Sequence, residues 1–340
     1  MDIDLMDVNY AKDFFGPLYM YVMDENITDI DINGLLGEGG IWITDCNSRR
    51  KSCFNKAVTR EFIENFSQRI SNLVSKPFNK LYPVLEGETP ELRITIVHES
   101  VSVNGRSVSI RKTPKVTRLN MKNIINQGYC DETILAMLKD FVKDHKNIVV
   151  VGEPGAGKTE LCKFLSGFID EKERVITIED TPEWHYSSLF PNRDCVELRI
   201  NNQMGYSEAI KTCMRLNPKW IMLSEARSRE VVHLIESFST GVRGMTTMHT
   251  SDVRNIPDRI ENMAGGERDV SRMENDIFTF IDVGILVRRK TVRGNDGVED
   301  VVRYIDQICL FDRDCGDNHT TMLVEEGRVL YETEKFKRGA

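Results

Sequence analysis

Gly152-Glu153-Pro154-Gly155-Ala156-Gly157-Lys158-Thr159 decides how the rest of this chain reads. The stretch has the form G-x-x-x-x-G-K-T, a phosphate-cradling loop. Glycine tolerates positive φ, so successive backbone N–H groups can turn inward and an anion can approach closely. Lys158 adds a charge that reaches outer phosphates, and the Thr159 hydroxyl suits Mg²⁺. Before the loop, Asn147-Ile148-Val149-Val150-Val151 is a continuous apolar run of the kind buried in a parallel sheet. After it, Glu160 opens a segment with Leu161, Phe164 and Leu165 at helical spacing, and the positive end of that helix faces the loop. Strand, loop and helix stand in the order a nucleotide site requires. We take Gly152 through Glu160 as the nucleotide-binding stretch, with ATP and Mg²⁺ as the expected ligands.

The chain has 340 residues, which favours two domains, each able to bury its own core. It is 40% hydrophobic and 29% charged, the composition of an ordinary globular protein. Its 45 basic and 53 acidic residues leave a net charge of −8, which argues against a broad nucleic-acid surface. The eight cysteines contain no C-x-x-C pair, so neither a zinc site nor a disulfide framework is indicated. The acidic start, Met1-Asp2-Ile3-Asp4, does not read as a signal peptide, and no apolar run approaches the ~20 residues of a bilayer span. These features predict a cytoplasmic protein, or one peripheral on a membrane through a partner.

Residues 1–25 mix acidic and aromatic side chains and read as a short helix or docking segment. Ile27–Ile32 alternates apolar and polar, as a half-buried strand does. Asn33-Gly34 and Gly37 to Gly40 predict turns, with a second strand at Ile41-Trp42-Ile43. Phe62, Ile63, Phe66, Ile70, Leu73 and Val74 repeat at helical spacing, and Pro77 stops that helix. Leu92–Val97 and Ser107–Arg111 flank the turn Asn104-Gly105. Residues 1–111 are therefore expected to form an α+β domain. The polar, basic stretch 112–120 is the expected linker. In 121–340, apolar runs at Val175–Ile178, Trp220–Leu223, Met245–Met248 and Val283–Val287 alternate with helical stretches. That pattern predicts an α/β domain with a mostly parallel sheet covered on both faces. Gly294–Gly297 predicts a hairpin turn, and residues 311–340 carry no clear assignment.

Hydrolysis of ATP needs groups that orient water, hold Mg²⁺ and neutralise charge on the γ-phosphate. Three strand ends offer candidates: Glu179-Asp180-Thr181-Pro182-Glu183 after Val175–Ile178, Ser224-Glu225-Ala226-Arg227 after Trp220–Leu223, and His249 after Met245–Met248. In open α/β sheets, ligands lie at the carboxyl ends of the strands. Taken singly, an acid after a strand is more often a solvated turn or helix cap, and a lone histidine is more often structural. Their order after a phosphate loop is what gives them weight. The run Arg288-Arg289-Lys290 reads as a solvated strand end.

These motifs resemble the hexameric secretion and pilus ATPases of type II and type IV secretion, type IV pili and Tad (Flp) pili. Thr177–Glu183 is similar to that family's Asp box, Ser224–Arg227 to its Walker B, and Thr240–His249 to its His box. Thr28–Gly34 and Val101–Lys112 resemble its N-terminal signatures. Ile110-Arg111-Lys112 and the Asp box fit the Tad and type IV secretion branch best. The resemblance implies a RecA-like second domain. It implies that Lys158 and Thr159 hold phosphates and Mg²⁺, that Glu179 positions the attacking water, and that Glu225 supports Mg²⁺. It further implies that Arg93 and Arg111 reach toward the γ-phosphate, as suits a guanidinium, and that His249 senses it. Ser224 replaces the usual glycine and Val242 the first His-box histidine. The implied machine is a homo-hexameric ring that works with a polytopic inner-membrane platform protein to power pilus assembly or protein secretion. A nucleotide-binding scaffold with little turnover, and a nucleic-acid translocase, are the alternative readings.

Overall fold

The computed structural model describes residues 5, 7–34, 39–47, 49–89, 91–113, 115, 117–265, 270–293 and 299–330. The turns expected at 37–38 and 294–297 and the acidic start 1–4 lie outside those residues. The chain divides into two compact units, Met1–Pro114 and Lys115–Ala340.

In the first unit the strands are β1 (Ile27–Ile32), β2 (Gly40–Asp45), β3 (Arg50–Phe54), β4 (Val84–Glu88), β5 (Leu92–Val97) and β6 (Ser107–Lys112). They form one antiparallel sheet in the order β3-β2-β1-β6-β5-β4. Alternation decides which face is covered. Leu92, Ile94 and Ile96 of β5 and Val108 and Ile110 of β6 point to one side and are buried, while Arg93 and Arg111 point to the other. Helices α1 (Val8–Phe15), α2 (Tyr19–Met23) and α3 (Arg60–Val74) supply Phe14, Phe15, Val22, Phe66 and Ile70 to that buried face. Thr59 caps α3 by accepting from the Phe62 N–H at 3.1 Å, and Ser75 ends it in the left-handed conformation. Each of these fully buried aromatic or aliphatic side chains contributes roughly 1.5–3 kcal/mol of transfer free energy.

The second unit holds strands β7 (Ile148–Val151), β8 (Val175–Glu179), β9 (Cys195–Arg199), β10 (Trp220–Leu223), β11 (Arg243–Met248), β12 (Val283–Arg293), β13 (Glu299–Asp314), β14 (Asp317–Glu325) and β15 (Arg328–Val329). Its helices are α4 (Asn123–Asn126), α5 (Glu132–Lys143), α6 (Lys158–Ser166), α7 (Tyr186–Leu189), α8 (Tyr206–Cys213), α9 (Glu230–Ser239), α10 (Ile256–Ala264) and α11 (Val270–Phe280). The sheet order is β15-β14-β13-β12-β7-β11-β10-β8-β9. Strands β12 through β9 in that order are parallel. The sheet as a whole is mixed, because β13, β14 and β15 add on antiparallel. Two-residue turns make that addition: Cys315-Gly316 and Glu326-Gly327 all have positive φ, the geometry of tight hairpins.

The apolar runs of the parallel strands are continuous because both faces are covered. Ile148 and Val150 pack on one side with residues of α5 and α6, and Val149 and Val151 on the other with residues of α8 to α11. Trp220 and Met222 of β10 likewise face one core, and Ile221 and Leu223 the other. All eight cysteines are free thiols. Among the described residues, no helix is long and apolar enough to cross a membrane.

Candidate nucleotide site

Four adjacent parallel strands, β7, β11, β10 and β8, end at the same edge of the sheet, and each delivers part of the site. Strand β7 runs into the loop 152–157, where Gly152, Gly155 and Gly157 have φ of 148°, 76° and 95°. Glycine is needed at Gly152 on two counts. An added Cβ would stand 2.4 Å from the Val287 carbonyl oxygen, and its φ is one that other residues rarely adopt. Helix α6 begins at Lys158 directly after the loop, and no side chain caps its first N–H groups. Those amides remain open to an anion.

The Lys158 side chain is 8% exposed. Its Nζ donates to the Gly152 carbonyl at 3.0 Å and the Glu153 carbonyl at 3.2 Å, and lies 3.1 Å from His249 Nδ1. Among the described residues, no carboxylate forms an ion pair with this ammonium. Burial lowers its pKa, and Glu225 opposes the shift from a distance. A buried cation with neutral partners, beside open helix amides, fits an incoming phosphate.

His249, at the end of β11, joins the loop to the next strand. Its Nε2 lies 3.0 Å from Glu225 Oε1, and Nδ1 also lies 3.1 Å from the Gly152 carbonyl. With the proton on Nε2, the ring donates to Glu225 and accepts from Lys158. The other oxygen of Glu225 accepts from Arg227 Nη2 at 2.9 Å, and Arg227 Nη1 donates to Asp180 at 2.8 Å. One polar chain therefore runs Lys158–His249–Glu225–Arg227–Asp180 across the ends of four strands. The Glu225 hydrogen bond, with Asp180 beside it, raises the Arg227 pKa further above its ordinary value.

Glu179, the last residue of β8, is 4% exposed. One of its oxygens accepts from the backbone N–H of Glu183 and of Trp184, each at 3.1 Å. Burial outweighs those donors and pushes its pKa up to about 8. Glu183 returns to the loop helix, accepting from the Thr159 hydroxyl at 3.2 Å. Glu160 accepts from the backbone N–H of Arg118 and Leu119. Lys163, a turn beyond Thr159, is buried near Glu160, Glu183 and Glu179, and burial lowers its pKa.

Among the described residues, no group of three or more His, Cys, Asp or Glu is placed to hold a metal. Mg²⁺ keeps waters and takes phosphate oxygens with only one or two protein groups. Thr159, at the loop helix, and Glu225, on the opposite strand, are of the right type for it. Glu153, Pro154, Gly155, Ala156 and Gly157 make up the loop itself. Ser224 is buried, and its carbonyl accepts from Thr247 Oγ1 at 2.7 Å, tying β10 to β11. Val242 is buried in the core on the α9 side, where an apolar side chain is favoured.

Arg93 and Arg111 belong to the first unit and sit directly opposite each other on β5 and β6. They share a row with Glu88 and Asp29. Arg93 Nε lies 3.3 Å from Glu88, and Arg111 Nε lies 4.0 Å from Asp29. Sequence reasoning singled out Glu179, Glu225 and His249 at strand ends but gave no role to Asp180, Glu183, Lys163 or Arg227. The first, second and fourth stood inside the quoted motifs, where a charged residue just after a strand was the available signal. Arg289 and Arg303, which lie against the loop glycines, gave none.

Against known proteins, the family described as Type II/IV secretion system protein matches residues 83–306. An uncharacterized protein of Bacillus anthracis is 32% identical over 258 residues, 74% of this chain; the chain spans 58% of that relative's length. The type IV secretion system protein VirB11 of Bartonella henselae is 24% identical over 331 residues, 84% of this chain and 90% of that protein. Among solved structures, the Legionella pneumophila ATPase DotB shares the fold with a TM-score of 0.63 at 18% identity, covering 90% of this chain and 80% of that one. The match spans most of the motif-bearing chain, from β4 of the first unit to β13 of the second, and the chain belongs to the Type II/IV secretion system protein family.

Proposed function

We propose that this protein is an ATP-hydrolysing ring motor that powers pilus assembly or protein secretion across the cell envelope. The observation that carries the reading is the buried Lys158 ammonium, held by backbone carbonyls and His249 at a glycine loop, with Glu179 buried at a neighbouring strand end. In this reading the open amides of the 152–159 loop and Lys158 bind the phosphates. Thr159 and Glu225 hold Mg²⁺, which when bound neutralises phosphate charge and orients the leaving group. Glu179 is aimed by the backbone donors of Glu183 and Trp184 and takes a proton from the attacking water. With a pKa near 8, its ionised form is a stronger base than an exposed glutamate. His249 ties the phosphate-binding lysine to Glu225, so the two respond together. Arg93 and Arg111 supply guanidinium charge to the γ-phosphate.

We place the second unit with RecA-like ATPase domains and the chain with the Tad and type IV secretion branch, on the Ile110-Arg111-Lys112 and Asp-box resemblance. The working assembly is a homo-hexamer, peripheral at the inner face of the membrane through a polytopic platform protein. ATPase rate per subunit against protein concentration, with light scattering in ATP and Mg²⁺, tests this. Activity that rises with a hexamer-sized species and disappears in Glu179→Gln is the expected result. A monomer that binds ATP and never turns it over, with or without the platform's cytoplasmic domain, would instead mark a nucleotide-binding scaffold.

A further inference from the structure

The β12–β13 ribbon brings a second pair of arginines to the phosphate loop. Arg289 and Arg303 stand directly opposite each other in the antiparallel register. Arg303 Nε donates to the Gly155 carbonyl at 3.3 Å, and a methyl group on Gly157 would come 3.1 Å from Arg303 Cδ. A methyl group on Gly155 would come 3.5 Å from Arg289 Nη1. Both guanidinium groups therefore lie along the loop that Lys158 closes from the other end.

Like charges facing each other across a strand pair are destabilising. The first unit offsets its own such pair, since Arg93 and Arg111 have Glu88 and Asp29 as the next residues in the row. No further strand flanks the Arg289–Arg303 row, because β7 pairs with β12 only as far as Leu286 and β14 joins β13 only from Ile308. What stands beside it is the glycine loop. No ion pair or hydrogen bond joins the exposed Arg289 to another described residue. Neighbouring ribbon cations are partnered: Arg288 pairs with Asp306 at 2.7 Å, and Lys290 lies over the Tyr304 ring.

We propose that Arg289 is a direct contact for the nucleotide's phosphate chain and that Arg303 is a positioning residue that holds the Gly155 peptide of the loop. Arg289 gives a phosphate fixed, planar donors that a lysine does not. The inference rests on the loop being the nucleotide site.

Calorimetric titration of the full-length chain with ADP and with pyrophosphate tests it, using wild type, Arg289→Ala, Arg289→Gln, Arg303→Met and Lys158→Ala. Arg289→Ala and Arg289→Gln are expected to weaken both ligands on the order of 10- to 100-fold while melting no lower than wild type. Arg303→Met keeps the stem against Gly157 and lacks the donor to Gly155. It is expected to weaken both ligands less than Arg289→Ala does. Wild-type affinity in both Arg289 variants overturns the proposal. Loss of ADP affinity with pyrophosphate affinity intact also overturns it, since the guanidinium would then be reading the base or sugar. If Lys158→Ala binds both ligands as wild type does, the nucleotide-site reading itself fails. If only Lys158→Ala loses them, that reading stands and this one falls.

Discussion

Replacing Glu179 by glutamine should change stability with a sign that depends on pH. The carboxyl has an ordinary value of 4.5 and is raised to about 8 in the fold by burial. Between those values the native state holds a proton that the unfolded chain releases, so stability falls as pH rises through this window. The handicap is absent below the unfolded value and complete above about 8. At ~1.4 kcal/mol per unit, its ceiling is on the order of 5 kcal/mol. Glutamine keeps an oxygen for the Glu183 and Trp184 N–H groups but buries an amide with two donor hydrogens where the protonated carboxyl had one, a loss of roughly 1–3 kcal/mol. The variant should therefore be equal to or less stable than wild type at pH 5, and more stable by about 2 kcal/mol at pH 9. Urea unfolding at both pH values, followed by tryptophan fluorescence, measures this, because Trp184 and Trp220 are buried in the second unit. An identical difference at both pH values refutes the raised pKa. The same variant should bind ADP and lose hydrolysis on the order of 10²- to 10⁴-fold.

In wild type, kcat/KM for ATP should climb as pH rises through about 8, because the base works only when ionised; a profile flat from pH 6 to 9 removes Glu179 from that role. Lys158→Ala should abolish nucleotide binding or turnover, checked by equilibrium binding and steady-state hydrolysis. Arg111→Ala should slow turnover and leave ADP binding intact; loss of ADP affinity would make it a purely structural arginine. Gly152→Ala, whose methyl group meets the Val287 carbonyl, should destabilise the second unit by on the order of 3 kcal/mol in thermal melts.

Strong patterns carried most of the second unit. Ile148–Val151 and Trp220–Leu223 are buried on both faces, so their continuous apolar runs gave them away, and the acids and histidine that follow landed at one sheet edge. Edge strands were illegible for the opposite reason. Strand β3, Arg-Lys-Ser-Cys-Phe, is exposed along most of its length, and β9 lies at the sheet margin with half-buried and exposed positions, so neither shows an apolar period. Strands β14 and β15 went unread because their turns, Cys315-Gly316 and Glu326-Gly327, carry a non-glycine at the first position of positive φ. Arg288-Arg289-Lys290 is exposed, but it lies within β12, which runs on to Arg293, and is not the expected strand end. Its position over the loop depends on the β12–β13 register and on β12 lying beside β7. Pairings between distant segments of chain leave no local trace. The same holds for the His249 link between Lys158 and Glu225.

The placement of β7 at the centre of its sheet sets an order of events during folding. Its two partners, β11 and β12, follow β8, β9 and β10 in the chain. Strands β8 and β9 are sequence neighbours and pair directly, and β10 then joins β8. Only when β11 arrives can β7 be tied to that nucleus, and only with β12 does it gain its second partner. Closing contacts between such distant segments is slow. The phosphate loop is therefore expected to lock after the β8–β9–β10 nucleus, and hydrogen exchange during refolding should show the amides of β8 and β10 protected before those of β7.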